Sequence, residues 1–501
     1  MSRNSGMLLD GRTLDLKKVA NYLLKGDEVR ISKNAIETMR RFRNRLEQRL
    51  RDGEQIYGIT TGFGVLAKKR IEDESEMQEL QRNLVRSHAA GAGRAMGDDV
   101  VRLAMLVKLN SLLRGNSCVR PEVAELLAGM LNENIIPVVP SYGSLGASGD
   151  LAPSAYVALA MIGEGEVSYK GKVVSSSYAL NKSGMHAITL QPKEGLSLLN
   201  GTCFTAAFAC IAAIELNNLL SWANACVALA SESLHACSQS FDERLMNLRG
   251  LRGQIEVAKS IRRLLEGSKR LREEPIPQDP YCIRCAPQVH GSVLESYFFA
   301  AEIINRELNG ITDNPVMSDD GDMLHGGNFH AQPIAMVLDL LAVSSTYIAE
   351  LSLARIHRLM DASISEKRDY FASKPGLESG LMLTEYLAVS LNNANSVLLH
   401  PASSYPARVS AGIEDHASHG VNSGLKAIEI INNVSRVLAI EMICVSNFLS
   451  MDNRGLSKAS RLVLKHIRKF SPLLNGDRSV GNEIETLSKE LRNSMPPPMS
   501  R

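Results

Sequence analysis

The stretch Ser141-Tyr-Gly-Ser-Leu-Gly-Ala-Ser-Gly-Asp-Leu-Ala-Pro-Ser154 sets three glycines among small polar residues immediately before an apolar run. Residue types alone predict a glycine-rich turn that leads into a helix beginning near Leu151, with Asp150 as its cap. The tripeptide Ala147-Ser148-Gly149 at its centre is too common a combination to carry meaning alone. What surrounds it decides the reading.

Outward from this turn the chain reads as helix. Aromatic residues make up 5% with a single tryptophan, while Ala, Leu, Met, Arg and Glu are plentiful, a composition that favours helices over sheets. In 257–271 the apolar residues Val257, Ile261, Leu264 and Leu265 recur at helical spacing, with Lys and Arg on the other face. Ser292 is predicted to cap a helix over 293–308 that stops at Asn309-Gly310. The same periodicity marks 99–113, 121–132, 332–360 and 424–449, and 165–175 reads as a β-hairpin turning at Lys170-Gly171. The expected fold is mainly α: a long antiparallel helix bundle over 201–501, and a smaller N-terminal loop-and-helix region over 1–200, forming a single unit over 1–501. The tail 495–501 is expected to fray.

Composition narrows the partners. Charged residues are 22% and the formal charge is +2, so no excess of one sign recommends nucleic acid or an anionic membrane. The most apolar run, 203–230, is interrupted by Glu215, Asn217, Asn218 and Asn224, which a bilayer would penalise; it reads as a buried helix. Eight scattered cysteines form no dense framework, and residues 1–10 lack a basic segment followed by an apolar run, so free thiols and a cytoplasmic location are expected. Cys282 and Cys285 form a CxxC without a second pair, and His325 and His330 lack a third ligand, so no metal site is predicted. Polar, glycine-bearing loops recur at 57–64, 141–154, 279–291 and 324–333, the places where a helical protein puts ligand chemistry.

In its full context the 141–154 stretch resembles the signature of the histidine and phenylalanine ammonia-lyase family. The resemblance implies that Ala147, Ser148 and Gly149 cyclise and lose water to give 4-methylidene-imidazol-5-one, an electrophile no standard side chain provides, with no external cofactor. Gly149 suits that ring closure, since its amide nitrogen meets no Cβ bulk on approaching the Ala147 carbonyl. Capturing the amino group of an amino acid covalently would improve a poor leaving group. Ile56-Tyr-Gly-Ile-Thr-Thr-Gly-Phe-Gly64 resembles the loop that supplies the base, which implies that Tyr57 removes the β-proton; a phenol of ordinary pKa near ~10 needs a positive local field for that role.

The same resemblance extends over nearly the whole chain. Gln278-Asp-Pro-Tyr-Cys-Ile-Arg284 implies that Arg284 holds the substrate carboxylate through a planar fork of donors, with Gln278 and Tyr281 orienting substrate or prosthetic group. Asn200 and Asp150 would hold the prosthetic group, Asn200 through the ring oxygen and also on the substrate side, and Phe329 would form a wall. Leu84-Val-Arg-Ser-His88 and Ile413-Glu-Asp-His416 are similar to the histidine-specific branch, which implies that His88 and Glu414 read an imidazole, with Met382 as a soft wall. His419, Gln332 and Thr60 depart from that branch's usual residues. The implied activity is conversion of L-histidine to trans-urocanate and ammonia by a homotetramer with shared sites. The rival readings are a tyrosine or phenylalanine lyase or aminomutase with the same group, and a non-catalytic helical assembly protein.

Overall fold

The computed structural model describes residues 6–63, 67–71, 73–365, 369–405 and 407–497; Gly64, at the end of the predicted base loop, and 498–501 of the predicted tail lie outside the described residues. The fold is mainly helical, with a few short strands. By internal contacts the chain divides into two compact units: Met1–Ile211 with Ala301–Asp339 and Pro401–Leu425, and Ala212–Ala300 with Leu340–His400 and Lys426–Arg501.

In the first unit, local chemistry sets most element ends. Asp15 accepts from the backbone of Lys18 at the start of helix Leu16–Lys25, which ends at the left-handed Gly26. Ser32 caps Lys33–Arg51 in the same way, and Pro121 occupies the first turn of Pro121–Asn132, where its missing N–H costs nothing. Phe42 and Leu46 pack with Ile56, Ile59, Cys118 and Met317 in a buried cluster that anchors the Tyr57 loop on both sides. The hairpin forms as predicted: Glu166–Tyr169 pairs with Lys172–Ser175, and Lys170 and Gly171 both take positive φ, as the tight turn requires. Ile136–Pro137 adds a third antiparallel strand.

The second unit is built from helices. Pairs between Ala349 and Asn392 and between His357 and Glu385 run in opposite order, so Gln332–Met360 and Met382–Leu398 are antiparallel there. Arg355 meets Glu441 through two hydrogen bonds of 2.6 and 2.9 Å, both side chains fully buried. Its third donor reaches the Cys282 carbonyl at 3.0 Å, in the short helix Tyr281–Arg284. Trp222, also fully buried, donates to the Ser494 carbonyl and stacks on His466.

Two expectations are corrected. Ser292 caps nothing: the helix starts six residues earlier, at Ala286, and the Ser292 hydroxyl donates to the Val289 carbonyl inside it. Asp150 directly precedes helix Leu151–Met161 but makes no side-chain cap there. Its carboxylate turns instead to the start of Cys203–Ser233, accepting from the Thr205 N–H and hydroxyl at 2.8 Å each. Cys203–Ser233 and Gln332–Met360 are long and apolar enough to cross a bilayer, but most of their apolar windows are buried within the protein.

Candidate active site

A cavity of about 1000 Å³ in the first unit is lined by Tyr57, His88, Ala147, Ser148, Asn200, Phe329 and Glu414, seven of the residues predicted from sequence. Four loops and two helix ends deliver them. Gly149 sits at φ +80° and pairs with Gly201, while the Asp150 N–H donates to the Gly201 carbonyl at 2.7 Å. A Cβ on Gly149 would lie 2.3 Å from the Gly201 oxygen and 2.9 Å from the Phe329 oxygen, so only glycine fits. The 141–150 loop is tied on its other side to 418–419: Ser418 and His419 donate backbone N–H groups to Gly146 and Leu145, and a Cβ on Gly146 would lie 2.2 Å from the Ser418 hydroxyl.

That tie brings Glu414 over the tripeptide, where the Ser148 hydroxyl donates to Glu414 Oε1 at 3.1 Å. The Glu414 segment turns through Ser410 and Ala411, both at left-handed φ of 53°, before its carbonyl accepts from the Val409 N–H. Left-handed non-glycine residues cost energy, so the surrounding structure holds this turn against strain.

His88 is the last residue of helix Glu74–His88. Its Nδ1 lies 2.9 Å from the Leu84 carbonyl, which can only accept, so Nδ1 carries the proton and Nε2 of the neutral ring is an acceptor. Burial pushes the His88 pKa down, against the Leu84 carbonyl and the Glu414 charge, which favour the protonated ring.

The Tyr57 loop is shaped by its threonines: Thr60 and Thr61 hydroxyls accept from the Ile56 and Gly58 N–H groups at 2.8 and 3.0 Å. Gln81, fully buried, donates to the Gly58 carbonyl and accepts from the Leu196 N–H, joining this loop to helix Glu194–Leu199. Asn200 caps that helix; its Nδ2 donates to the Asn314 carbonyl at 2.7 Å and lies 3.4 Å from Asp313 Oδ1. Tyr57 meets Phe63 and His325 edge-on, at 6.2 and 6.4 Å between ring centres.

Gln278, Tyr281, Arg284 and Met382 are not among the residues lining this cavity, and belong to the second unit. Gln278 and Arg284 line a smaller pocket of about 270 Å³ there; the Arg284 guanidinium lies over the Tyr281 ring, and its Nε is buried with no hydrogen-bond partner among the described residues. Met382 begins helix Met382–Leu398. Among the described residues no group of three potential metal ligands converges.

Several residues facing the cavity went unread in the sequence. His330, considered in the sequence only as a metal ligand without a third partner, stacks on His416 with ring centres 5.3 Å apart, and both line the cavity. His416 Nε2 lies 3.2 Å from Gln332 Oε1. Lys108, Lys193 and Asp313 form a buried polar cluster beside Asn200. A polar residue isolated in an apolar helical run, like Lys108, or in a loop, like Asp313, carries no local signal that it meets the others. The spacing of glycines and prolines around the loops did carry one.

The residues and their spacing match known proteins. A profile described as aromatic amino acid lyase matches residues 14–469. A histidine ammonia-lyase from Geobacillus thermodenitrificans is 40% identical over 492 residues, covering 97% of each chain. Among solved structures, a tyrosine aminomutase from Streptomyces globisporus superposes with a TM-score of 0.93 at 31% identity, covering 97% of each chain. A histidine ammonia-lyase from Trypanosoma cruzi gives 0.90 at 32% identity, covering 97% of this chain and 93% of the other.

Proposed function

The chain belongs to the aromatic amino acid lyase family, and on that premise we propose that it eliminates ammonia from L-histidine to give trans-urocanate. The observation that carries this reading is the Ser148–Glu414 hydrogen bond inside the cavity that His88 also lines, which supports taking the two as the pair that would read an imidazole beside the tripeptide.

The tripeptide fits its proposed conversion to methylidene-imidazolone. Gly149 is confined to a position that admits no Cβ, Asp150 and Gly201 clamp the backbone behind it, and Ser148 faces the cavity. When formed, the group supplies an electrophile for the substrate's amino group. The chain's own side chains account for the rest. Asn200 would hold the ring oxygen by exchanging the longer of its two Nδ2 hydrogen bonds, the 3.4 Å one to Asp313 Oδ1, while keeping the 2.7 Å bond to the Asn314 carbonyl. His88 presents Nε2 to accept from an imidazole N–H, and Glu414 accepts from the other ring nitrogen, favouring a protonated ring. Tyr57, across the same cavity, takes the β-proton. Phe329 walls the pocket.

The substrate carboxylate calls for a fork of donors, which Arg284 supplies from another copy of the chain in a homotetramer, with Gln278 and Tyr281 orienting substrate or prosthetic group and Met382 supplied in the same way. Exposed apolar side chains support the assembly: Leu383, Tyr386, Val389 and Val397 on Met382–Leu398 are 51% to 76% exposed. The eight free cysteines suit a reducing cytoplasm.

The likeness to a tyrosine aminomutase favours a second reading, an aromatic substrate at the same site. Glu414→Gln separates the two. With histidine the variant is expected to lose about 100-fold or more in kcat, and with any aromatic amino acid much less. Equal losses would remove the proposed imidazole contact. Ser148→Ala is expected to fold and to turn over nothing.

A further inference from the structure

The cluster beside Asn200 holds charges that the proposed chemistry leaves unused. Lys193, fully buried, pairs with Asp313 Oδ2 at 2.7 Å and with the Ser197 hydroxyl at 2.7 Å. Lys108, on helix Asp98–Leu112, is only 6% exposed, yet among the described residues no carboxylate lies within ion-pair distance of it. Its ammonium donates to the Ser197 carbonyl at 3.1 Å and to the Asn200 carbonyl. A buried ammonium whose direct partners are backbone carbonyls is a costly arrangement, which the fold nevertheless keeps.

The location of those carbonyls gives the cost a purpose. Both belong to the last turn and cap of the six-residue helix Glu194–Leu199. A cation there complements the helix dipole and satisfies carbonyls that the helix leaves open. The same end carries Asn200 into the cavity. It also carries Gly201, whose carbonyl receives the Asp150 N–H and on which a Cβ would lie 3.4 Å from the Lys108 nitrogen. One ammonium therefore touches the backbone that sets Asn200 and abuts the strut behind Gly149.

We propose that Lys108 is a positioning residue for the reaction, fixing the Asn200 backbone so that the side-chain amide stays directed at the group formed from Ala147, Ser148 and Gly149. This rests on the function proposed above. Lys108 touches neither substrate nor reacting atoms and acts through Asn200.

A double-mutant cycle tests it, using Lys108→Met, Lys108→Arg, Asn200→Ala and Lys108→Met combined with Asn200→Ala in the full-length protein. Steady-state turnover of histidine is measured alongside the near-ultraviolet difference spectrum of each resting protein against Ser148→Ala, since a hydrogen bond to a conjugated carbonyl tunes its absorption. Lys108→Met should lower kcat roughly 10- to 100-fold, with KM changed less than about threefold. Lys108→Arg should recover most of the loss, and the combined variant should be within about twofold of Asn200→Ala alone, the signature of two residues acting as one. The spectrum of Lys108→Met should shift in the direction seen for Asn200→Ala. Multiplicative losses, or an unshifted spectrum, would overturn the proposal. If Lys108→Met fails to fold, Lys108→Gln takes its place in the cycle with the same outcomes required. An unaltered protein that turns over none of histidine, tyrosine and phenylalanine would instead refute the function itself.

Discussion

Gly149 and Asp150 are neighbours whose environments differ in kind. At Gly149 the constraint is steric, a wall of backbone oxygens where a Cβ would go. At Asp150 it is electrostatic: burial raises its pKa to about 6, against the Thr205 and Phe204 hydrogen bonds and the Lys108 charge, which favour ionisation. The folded chain thus holds this proton more tightly than the unfolded one, in which the carboxyl titrates near 3.8. The stabilising contribution is fully present below that unfolded value and is lost as pH rises through about 6. Asp150→Asn cannot ionise. Relative to the parent, its thermal stability should improve between about pH 4 and about pH 7, by a difference on the order of 3 kcal/mol at most; parallel curves would contradict the assignment. The sequence reading placed Asp150 at a helix start, which was correct in position and wrong about which helix its carboxylate serves. Helix-start preferences are local, whereas Thr205 lies 55 residues away. For the same reason Lys108 and Asp313 were illegible, because what matters about them is a meeting of segments far apart in the chain.

Elements were legible where local chemistry sets their ends. Pro121–Asn132 and Gln332–Met360 match the predicted bounds, and the hairpin turns at Lys170-Gly171, because proline, glycine and apolar spacing act within a few residues. The start of Ala286–Glu307 was misjudged because a serine that back-bonds to Val289 looks in sequence like a serine that caps. The Arg355–Glu441 pair, invisible to periodicity, ties Gln332–Met360 to Gly420–Phe448 and holds the Tyr281–Arg284 turn by its Cys282 carbonyl. Removing one partner leaves a buried charge, so Arg355→Met should destabilise by about 3–5 kcal/mol, while Arg355→Met with Glu441→Leu should recover most of that loss. Melting temperatures check both. A single variant as stable as the parent would show that the pair is not closed off from water as described.

On the scale of the whole molecule, one chain gathers Tyr57, His88, Ser148, Asn200, Phe329 and Glu414 around a cavity, while Arg284 and Tyr281 stand outside its lining. The proposed homotetramer supplies them from another copy. Light scattering is expected to give four times the 54.7 kDa chain mass, and Val397→Glu, at a 76% exposed position on the Met382–Leu398 face, is expected to shift the mass downward and lower activity with it. A fully active monomer would contradict the shared site. The resemblance read from 141–154 announced the family because its glycines and serines stand at fixed positions; the choice of substrate depended on His88 and Glu414, whose place on one cavity, with Glu414 against Ser148, became evident only in the fold. The most direct test of that choice offers the purified protein histidine, tyrosine and phenylalanine in separate reactions and follows the ultraviolet absorbance of each unsaturated product. Urocanate should accumulate with histidine and no product with the other two; turnover of tyrosine or phenylalanine without histidine would contradict the account.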